Sequence, residues 1–322
     1  MRRREFIALA AATLTWTIAA RAQEARVYRI VWLSTASGPD PFLEGFREGL
    51  RSQGYVEGNN IVLQSHYAPG DPEALRAIVT ELKRGEVDLV VSSGPATRAI
   101  STVTEIPVLF AQSGDPVALG IVKSLAHPGT NFTGITFLSL ELAGKRVELL
   151  KDTFPKLRRL AVLSNTDHPG EQSEWRATQL AAETLEVDPI YIPFFGPREF
   201  DAALAATANA RADAMLAFPE PVTMVNRTRV AQFAVAQRLP SMFGWSEYCE
   251  AGGLLSYGAN QRATYFLLGK YADRILRGEN PAELPVVQPE RFELVVNLKT
   301  ARLFEKELDL SSVLFRSSKV LE

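Results

Sequence analysis

From residue 28 onward, short segments rich in β-branched residues alternate with amphipathic helical patterns. Strands are predicted at residues 29–33, 61–67, 88–92, 107–111 and 131–137, and helices between them at 41–53, 72–83, 95–103 and 116–125. Continuous apolar runs such as Leu89-Val90-Val91 indicate strands that are covered on both faces. Strand–helix alternation of this kind predicts an α/β fold with a parallel sheet wound on both faces.

A second series of the same kind follows a predicted connecting helix at 141–153. Its strands are predicted at residues 158–163, 189–195, 214–218 and 241–243, with helices at 171–185, 198–208 and 223–237. Two successive series of similar size predict two similar lobes. No Gly/Ser-rich or Pro-rich linker lies between them, so we expect structured crossings between the lobes.

The last quarter of the chain does not obviously extend the second sheet. A strand-like segment at 254–257 and a helix at 261–276 are interpreted as the chain crossing back, and a strand-like segment at 292–296 indicates a further crossing. We therefore expect one lobe from residues 26–137 plus about 256–285. The other lobe is expected from residues 138–255 plus about 286–322.

Residues 1–22 have the three parts of an export signal. A positive head, residues 2–4, precedes an Ala/Thr/Leu/Ile stretch that is too short to span a bilayer, and Ala20-Arg21-Ala22 offers a cleavage site. The Arg3-Arg4-Glu5-Phe6 run is similar to a twin-arginine signal. We expect cleavage near Ala22 and a periplasmic mature chain. An amphipathic or buried N-terminal helix is the alternative.

Several classes of protein and site are excluded by composition. The formal charge is −2 with no basic face, so nucleic acid is not an expected partner. The single cysteine, Cys249, rules out an internal disulfide framework, and three widely spaced histidines do not predict a metal site. No second stretch of about 20 apolar residues follows the signal, so we expect no stable membrane insertion. No cofactor is expected.

Hydroxyl side chains and glycine follow three successive strands of the first series. Ligands of wound α/β sheets bind beyond the carboxyl ends of the strands, where free backbone N–H groups at helix starts favour a carboxylate or a similar anion. The candidate ligand-binding residues at these ends are Ser34, Thr35, Ser93, Gly94, Ala96, Thr97, Ser113, Gly114 and Asp115. Ordinary helix capping is the alternative explanation.

The second series contributes carboxylates and aromatic rings at its strand ends. Asn165 follows the first of its strands, and Glu220 and Glu247 are candidates to meet a ligand ammonium group. Trp245, Tyr248 and Phe218 would supply an aromatic wall. The alternative is that the carboxylates are solvated loop charges and the rings belong to the core.

Common enzyme signatures are absent from the sequence. We find no G-x-x-x-x-G-K-[ST], G-x-G-x-x-G, H-E-x-x-H or C-x-x-C motif. His127 and His168 each precede a proline, which is typical of a turn rather than of a catalytic base. We therefore expect a binding protein with no catalytic residue. A secreted hydrolase or isomerase that uses Glu220 and Glu247 as a carboxylate pair is the alternative.

Six segments together resemble a known family. They are residues 1–23, GNNIVLQSHYAPG at 58–70, SGDP at 113–116, HPGTNFTGIT at 127–136, GGLLSYG at 252–258 and FELVVNLKTA at 292–301. In this order they resemble the ABC-transporter substrate-binding protein family that includes the tryptophan/tyrosine-type binding proteins. The resemblance implies a type I periplasmic binding protein, with two Rossmann-like lobes, three crossings and a ligand clamped between the lobes.

The resemblance also implies function and partners. The protein would deliver a small-molecule ligand, an aromatic or other amino acid or an aromatic carboxylate, to an ABC permease with a separate cytoplasmic ATPase. In relatives, the segments that correspond to residues 93–97 and 113–115, and the strand end around Asn165, face the ligand. Glu220 stands where relatives often carry Asp. A periplasmic sensor module for a membrane receptor is an alternative role.

Overall fold

The computed structural model describes residues 26–38, 41–69, 71–101, 105–137, 139–304 and 307–322. The expected export signal lies outside these residues. Within the described part of the chain, no helix combines the length and the apolar character needed to cross a membrane.

The first sheet has five strands, and all of its pairings are parallel. They are β1 (Tyr28–Ser34), β2 (Ile61–Tyr67), β3 (Leu89–Ser93), β4 (Val108–Gln112) and β5 (Phe132–Thr136), in the order β2-β1-β3-β4-β5. Helices α1 (Phe42–Ser52), α2 (Pro72–Leu82) and α3 (Pro95–Ala99) follow β1, β2 and β3. Every residue of β3 and β4 is buried, which confirms that these strands are covered on both faces.

The helix predicted at 116–125 is wrong, since this segment forms turns. Asp115 caps one turn as expected, because its carboxylate accepts from Val117 N at 2.8 Å. Gly120 then takes φ of +69°, which ends any helical path, and Lys123 N bonds instead to Pro128 O.

The second sheet has seven strands in the order β12-β11-β10-β9-β8-β6-β7. They are β6 (Arg159–Asn165), β7 (Asp188–Phe194), β8 (Ala214–Ala217), β9 (Ser241–Phe243), β10 (Leu255–Ala259), β11 (Phe292–Asn297) and β12 (Lys319–Leu321). All pairings are parallel except β10 with β11. The two mostly parallel sheets confirm the predicted two-lobe α/β fold.

Helices surround this second sheet and connect it to the first. They are α4 (Ser139–Thr153), α5 (Glu171–Thr184), α6 (Gly196–Asn209), α7 (Pro221–Val225), α8 (Arg227–Ala236), α9 (Ser246–Glu250), α10 (Gln261–Leu276), α11 (Leu298–Ala301) and α12 (Ser311–Arg316). The helix predicted at 223–237 is divided in two, because Asn226 leaves helical geometry with ψ of 13°.

The expectation that residues 254–257 leave the second sheet is wrong. Leu255 of β10 pairs with Met242 of β9 on one side and with Val296 of β11 on the other. The helix that follows does return to the first lobe, since α10 packs against α1 so closely that a Cβ on Gly269 would lie 2.5 Å from Phe46 O. We therefore propose that the chain crosses at Asn260 rather than at about residue 256.

Candidate functional site

The two lobes meet at the carboxyl ends of their strands. Ser113, after β4, donates its hydroxyl to Pro219 O, after β8, at 3.4 Å. A Cβ built on Gly94, after β3, would lie 3.5 Å from the ring of Pro221. The strand ends of the two sheets therefore face each other, as ligand sites in wound sheets require, and the structure has the lobes closed on one another.

A narrow cavity of about 10 Å³, room for about one water molecule, lies between these strand ends in the closed arrangement. Both lobes contribute to its walls. The lining residues are Phe42, Ser93, Gly94, Ala111, Gln112, Ser113, Phe137, His168, Pro219, Glu220, Pro221, Trp245 and Tyr265. Its lining is mainly apolar with a few polar groups, a composition that is typical of small-molecule sites, and the lobes must move apart to admit a ligand.

One wall of the cavity is aromatic and is built from both lobes. Trp245 of the second lobe meets Phe42 edge-on, with ring centroids 5.4 Å apart, and Phe137 at 6.1 Å. Phe42 in turn stacks on Tyr265 at 4.9 Å with 4° between the ring planes. Of the three rings predicted for this wall, the lining contains Trp245, whereas Tyr248 and Phe218 are buried outside it. Because Trp245 meets rings of the first lobe, this wall forms only when the lobes are together.

Glu220 is a buried carboxylate with three donors. It accepts from Asn165 Nδ2 at 2.9 Å, from Val222 N at 2.9 Å and from Thr223 N, and so caps α7. Burial raises the pKa of Glu220, and these hydrogen bonds oppose the rise. Asn165 lies outside the cavity lining and therefore affects the cavity by holding the carboxylate of Glu220 in place.

Three polar atoms of the cavity lining are buried without a hydrogen-bond partner in the described part of the protein. They are Ser93 Oγ, Gln112 Oε1 and His168 Nδ1, on side chains whose residues are 5%, 1% and 4% exposed. A buried polar atom without a partner costs about 1–3 kcal/mol. A ligand that pairs with these atoms would recover that energy.

The other ring nitrogen of His168 is engaged. Nε2 lies 3.2 Å from Glu174 Oε1, and both side chains are buried. Burial by itself lowers the pKa of His168, but the hydrogen bond with Glu174 and the charges of Glu174, Glu220 and Glu171 outweigh it. The pKa of His168 is therefore raised above its ordinary value.

A buried guanidinium lies behind this pair. Arg146 of α4 donates Nε–H to Tyr257 O at 2.9 Å. Burial lowers its pKa to about 10, and the charge of Glu174 opposes the fall. Arg146, Glu174 and His168 thus form a series of interacting ionisable side chains that ends at the cavity.

The structure brings together part of the predicted site. Of the candidates, the cavity lining contains Ser93, Gly94, Ser113, Glu220 and Trp245. The remaining candidates lie outside this lining: Ser34, Thr35, Ala96, Thr97, Gly114, Asp115, Asn165 and Glu247. Their part in ligand binding stays a prediction.

Several of the candidates outside the lining have local structural roles. Ser34 Oγ accepts from Ala36 N at 3.1 Å, and the hydroxyl of Thr97 lies 2.9 Å from that of Ser92. Thr35 lines a neighbouring recess together with Arg98 and Asp167. The first of these contacts is a local turn bond and not the helix cap that we gave as the alternative, because the next helix begins only at Phe42.

Sequence reasoning missed Phe42, Gln112, Phe137, His168 and Tyr265. Gln112 and His168 carry the same signal as the residues that were chosen, because each lies at or just after the end of a strand. His168 does lie in a turn, as expected. Phe42 and Tyr265 are in α1 and α10, where only packing of the two helices brings their rings together.

No metal centre can be built from the described residues. Among them, no group of three or more His, Cys, Asp or Glu side chains is placed to hold an ion.

Comparison with known proteins gives a consistent result. Residues 31–315 match a family model described as ABC transporter substrate binding protein. The chain is 22% identical over 271 residues to a tyrosine-binding protein of Clostridioides difficile, covering 83% of this chain and 77% of that protein.

Two solved structures share the fold. One is the ABC domain from Streptococcus pneumonia in complex with L-Trp, with a TM-score of 0.81 and 22% identity. The other is a conserved domain protein from Vibrio cholerae, with a TM-score of 0.82 and 23% identity. Each alignment covers 92% of this chain and 100% of the other.

Proposed function

Since this chain belongs to the family of ABC transporter substrate binding proteins, we propose that it is the periplasmic binding component of an ABC importer. It clamps a small organic ligand between its two lobes and delivers it to a permease that works with a cytoplasmic ATPase. The ligand leaves unchanged.

The observation that carries this proposal is the lining of the cavity between the lobes, which has to widen to hold a ligand. Its polar atoms without partners come from both lobes, Ser93 and Gln112 from the first and His168 from the second. A ligand that bridges these atoms binds the closed form better than the open form. Such differential affinity is what a ligand needs to shift the protein towards closure.

An aromatic amino acid is the ligand class that we propose. The ring wall around Trp245 supports a flat apolar side chain, and the buried polar atoms support a small polar head. The tyrosine-binding relative and the L-Trp complex of a protein with the same fold support the same class.

Release of the ligand without reaction fits the arrangement of the carboxylates. The pair considered for catalysis is not assembled in the cavity, because Glu247 lies outside its lining and Glu220 is engaged by Asn165 and two backbone N–H groups. Incubation with a bound amino acid, followed by chromatography, should return only the amino acid. A new product would contradict this part of the proposal.

The main test is direct binding. Native mass spectrometry of freshly purified protein should show a small co-purified ligand, and calorimetry should give a Kd in the micromolar range or below for an aromatic amino acid, about −8 kcal/mol. Absence of heat with aromatic amino acids, aromatic carboxylates and branched-chain amino acids would reject the ligand class.

Cellular location and role have their own tests. N-terminal sequencing of protein from a periplasmic fraction should begin close to residue 23. Deletion of the gene should abolish ATP-dependent uptake of the bound amino acid. Normal uptake with a lost transcriptional response to the ligand would indicate the sensor role instead.

A further inference from the structure

The sequence places a ligand anion at the helix starts of the first lobe, but the structure weakens that site. Helix α3 has only five residues, and the segment after Asp115 forms a turn in place of a helix. The attraction of a helix start for an anion depends on aligned peptide dipoles. The first lobe therefore offers little of the field that an anion site would need.

His168 of the second lobe offers a donor in the same cavity. Its Nε2 is committed to Glu174 at 3.2 Å, so its Nδ1 is the nitrogen left to meet a ligand. In the imidazolium form both ring nitrogens donate. The His168 ring lines the cavity and is 4% exposed, so a hydrogen bond from it would be well shielded from water.

We propose that His168, positioned by Glu174, binds the anionic end of the ligand through Nδ1–H and thereby selects ligands that carry a carboxylate. This inference rests on the proposed function, since it assigns one contact within the same ligand cavity. His168 is a specificity residue in this account, and Glu174 is a positioning residue.

Four carboxylates of the described residues lie around His168, and each must leave Nδ1 free to meet a ligand. Glu174 and Glu171 lie on α5, Glu220 lies after β8, and Asp167 is adjacent in the chain. Glu171 accepts from Ser164 and Tyr191, at 3.0 and 2.5 Å. Glu220 is held by its three donors. Glu171 and Glu220 are thus directed to other partners, the charge of Arg98 acts on Asp167, and Glu174 is the carboxylate hydrogen-bonded to the imidazole.

The same network predicts a switch in what the cavity accepts. If His168 loses its second proton, the Nε2–H bond to Glu174 keeps the remaining proton, and Nδ1 becomes an acceptor. An acceptor facing a carboxylate repels it. Affinity for a carboxylate ligand should therefore fall as the pH rises through the pKa of His168, while the ligand itself stays zwitterionic.

The experiment compares acids with their amides. Calorimetry at pH 6.5 would use L-tryptophan, L-tyrosine and L-phenylalanine and their carboxamides, with wild type and with His168→Gln. Wild type should prefer the acid at least tenfold, and His168→Gln should lose most of that preference. His127→Gln, which alters an exposed histidine outside the cavity lining, is the matched control and should keep it.

A second measurement does not depend on the folding of a variant. In wild type labelled with ¹⁵N-histidine, the acid should shift the Nδ1 resonance of His168 and raise its titration midpoint, and the amide should do neither.

A third measurement tests the positioning role of Glu174. In Glu174→Gln, the pH at which the affinity for the acid falls should be lower than in wild type.

The outcomes separate the inference from the proposed function. Tight binding of the acid with an unchanged acid-to-amide ratio in His168→Gln, or with no response at His168 Nδ1, would overturn the inference and leave the clamp intact. Failure of wild type to bind any probe would reject the proposed ligand class and the inference with it.

Discussion

Gly114 of the first lobe and Gly170 of the second lie backbone against backbone. A Cβ on Gly114 would lie 3.0 Å from Gly170 N, and a Cβ on Gly170 would lie 3.0 Å from Gly114 Cα. No side chain fits between these two strand-end loops without movement. The absence of a side chain at both positions is therefore a condition for the closed arrangement.

Gly114→Ala should weaken ligand binding by about tenfold, roughly 1.4 kcal/mol, because its methyl group obstructs closure. Thermal stability without ligand should change little, since the open form removes the overlap with Gly170, and the other neighbour at 3.0 Å, Leu119 Cδ1, is the end of a side chain that can turn away. Calorimetry and thermal melts measure the two effects. Gly85→Ala is the control, because its new Cβ would have its nearest neighbour at 3.7 Å. Unchanged affinity in Gly114→Ala would show that the contact does not limit closure.

Trp245→Ala should reduce affinity for an aromatic ligand by about 2 kcal/mol or more, as is usual for a central buried aromatic residue. The loss removes the ring that meets Phe42 and Phe137 across the lobes. Trp175→Ala removes a ring that contacts Tyr191 at 4.8 Å, outside the cavity lining. It should leave the calorimetric Kd unchanged. Equal losses in both variants would argue against a specific role for Trp245.

The stability of the ligand-free protein should depend on pH through His168. Because its pKa is raised in the folded state, its stabilising contribution is complete below the ordinary value of about 6.5 and is lost as the pH rises through the folded pKa. The stability difference between wild type and His168→Gln should therefore shrink from pH 5.5 to pH 9 in urea titrations. A constant difference would mean that the pKa is the same in both states.

Glu220→Gln should destabilise the protein by about 1–3 kcal/mol. The new amide NH₂ must face a donor, Asn165 Nδ2 or a backbone N–H at the start of α7. Glu199→Gln is the control, because the exposed Glu199 uses one oxygen, Oε2, to accept from Phe195 N, and Gln retains such an oxygen. Chemical denaturation measures both. Similar small effects would indicate that the buried hydrogen bonds tolerate the amide.

Local patterns were sufficient for the core strands and insufficient where distant segments meet. The run Leu89-Val90-Val91 predicted a strand covered on both faces because its consecutive residues are all apolar, and all three are buried in β3. The helix expected at 116–125 failed because its apolar residues satisfy a helical period while Gly120 adopts a positive φ. The three residues of β9 sit beside β10, whose membership of the second sheet depends on pairing with the later strand β11.

The candidate site, too, was predictable where position along a strand decides and not where distant segments meet. Strand-end logic found Ser93, Gly94 and Ser113, since the position of a residue along a strand is visible in sequence. It missed Tyr265, because that ring reaches the cavity only through the packing of α10 on α1. His168 was set aside as a turn residue; the turn is correct, but its partner Glu174 becomes apparent only in three dimensions.

Helix α10 covers α1, although strands β2 to β10 separate them in the chain. Phe46 of α1 is fully buried, and a Cβ on Gly49 would collide with Phe266 O. During synthesis, the first lobe therefore cannot finish its core until most of the second has emerged from the ribosome. Contacts of such long range slow folding and expose apolar surface meanwhile. We therefore expect a nascent chain, or a product that stops before residue 261, to leave this face of α1 uncovered and to be prone to aggregation.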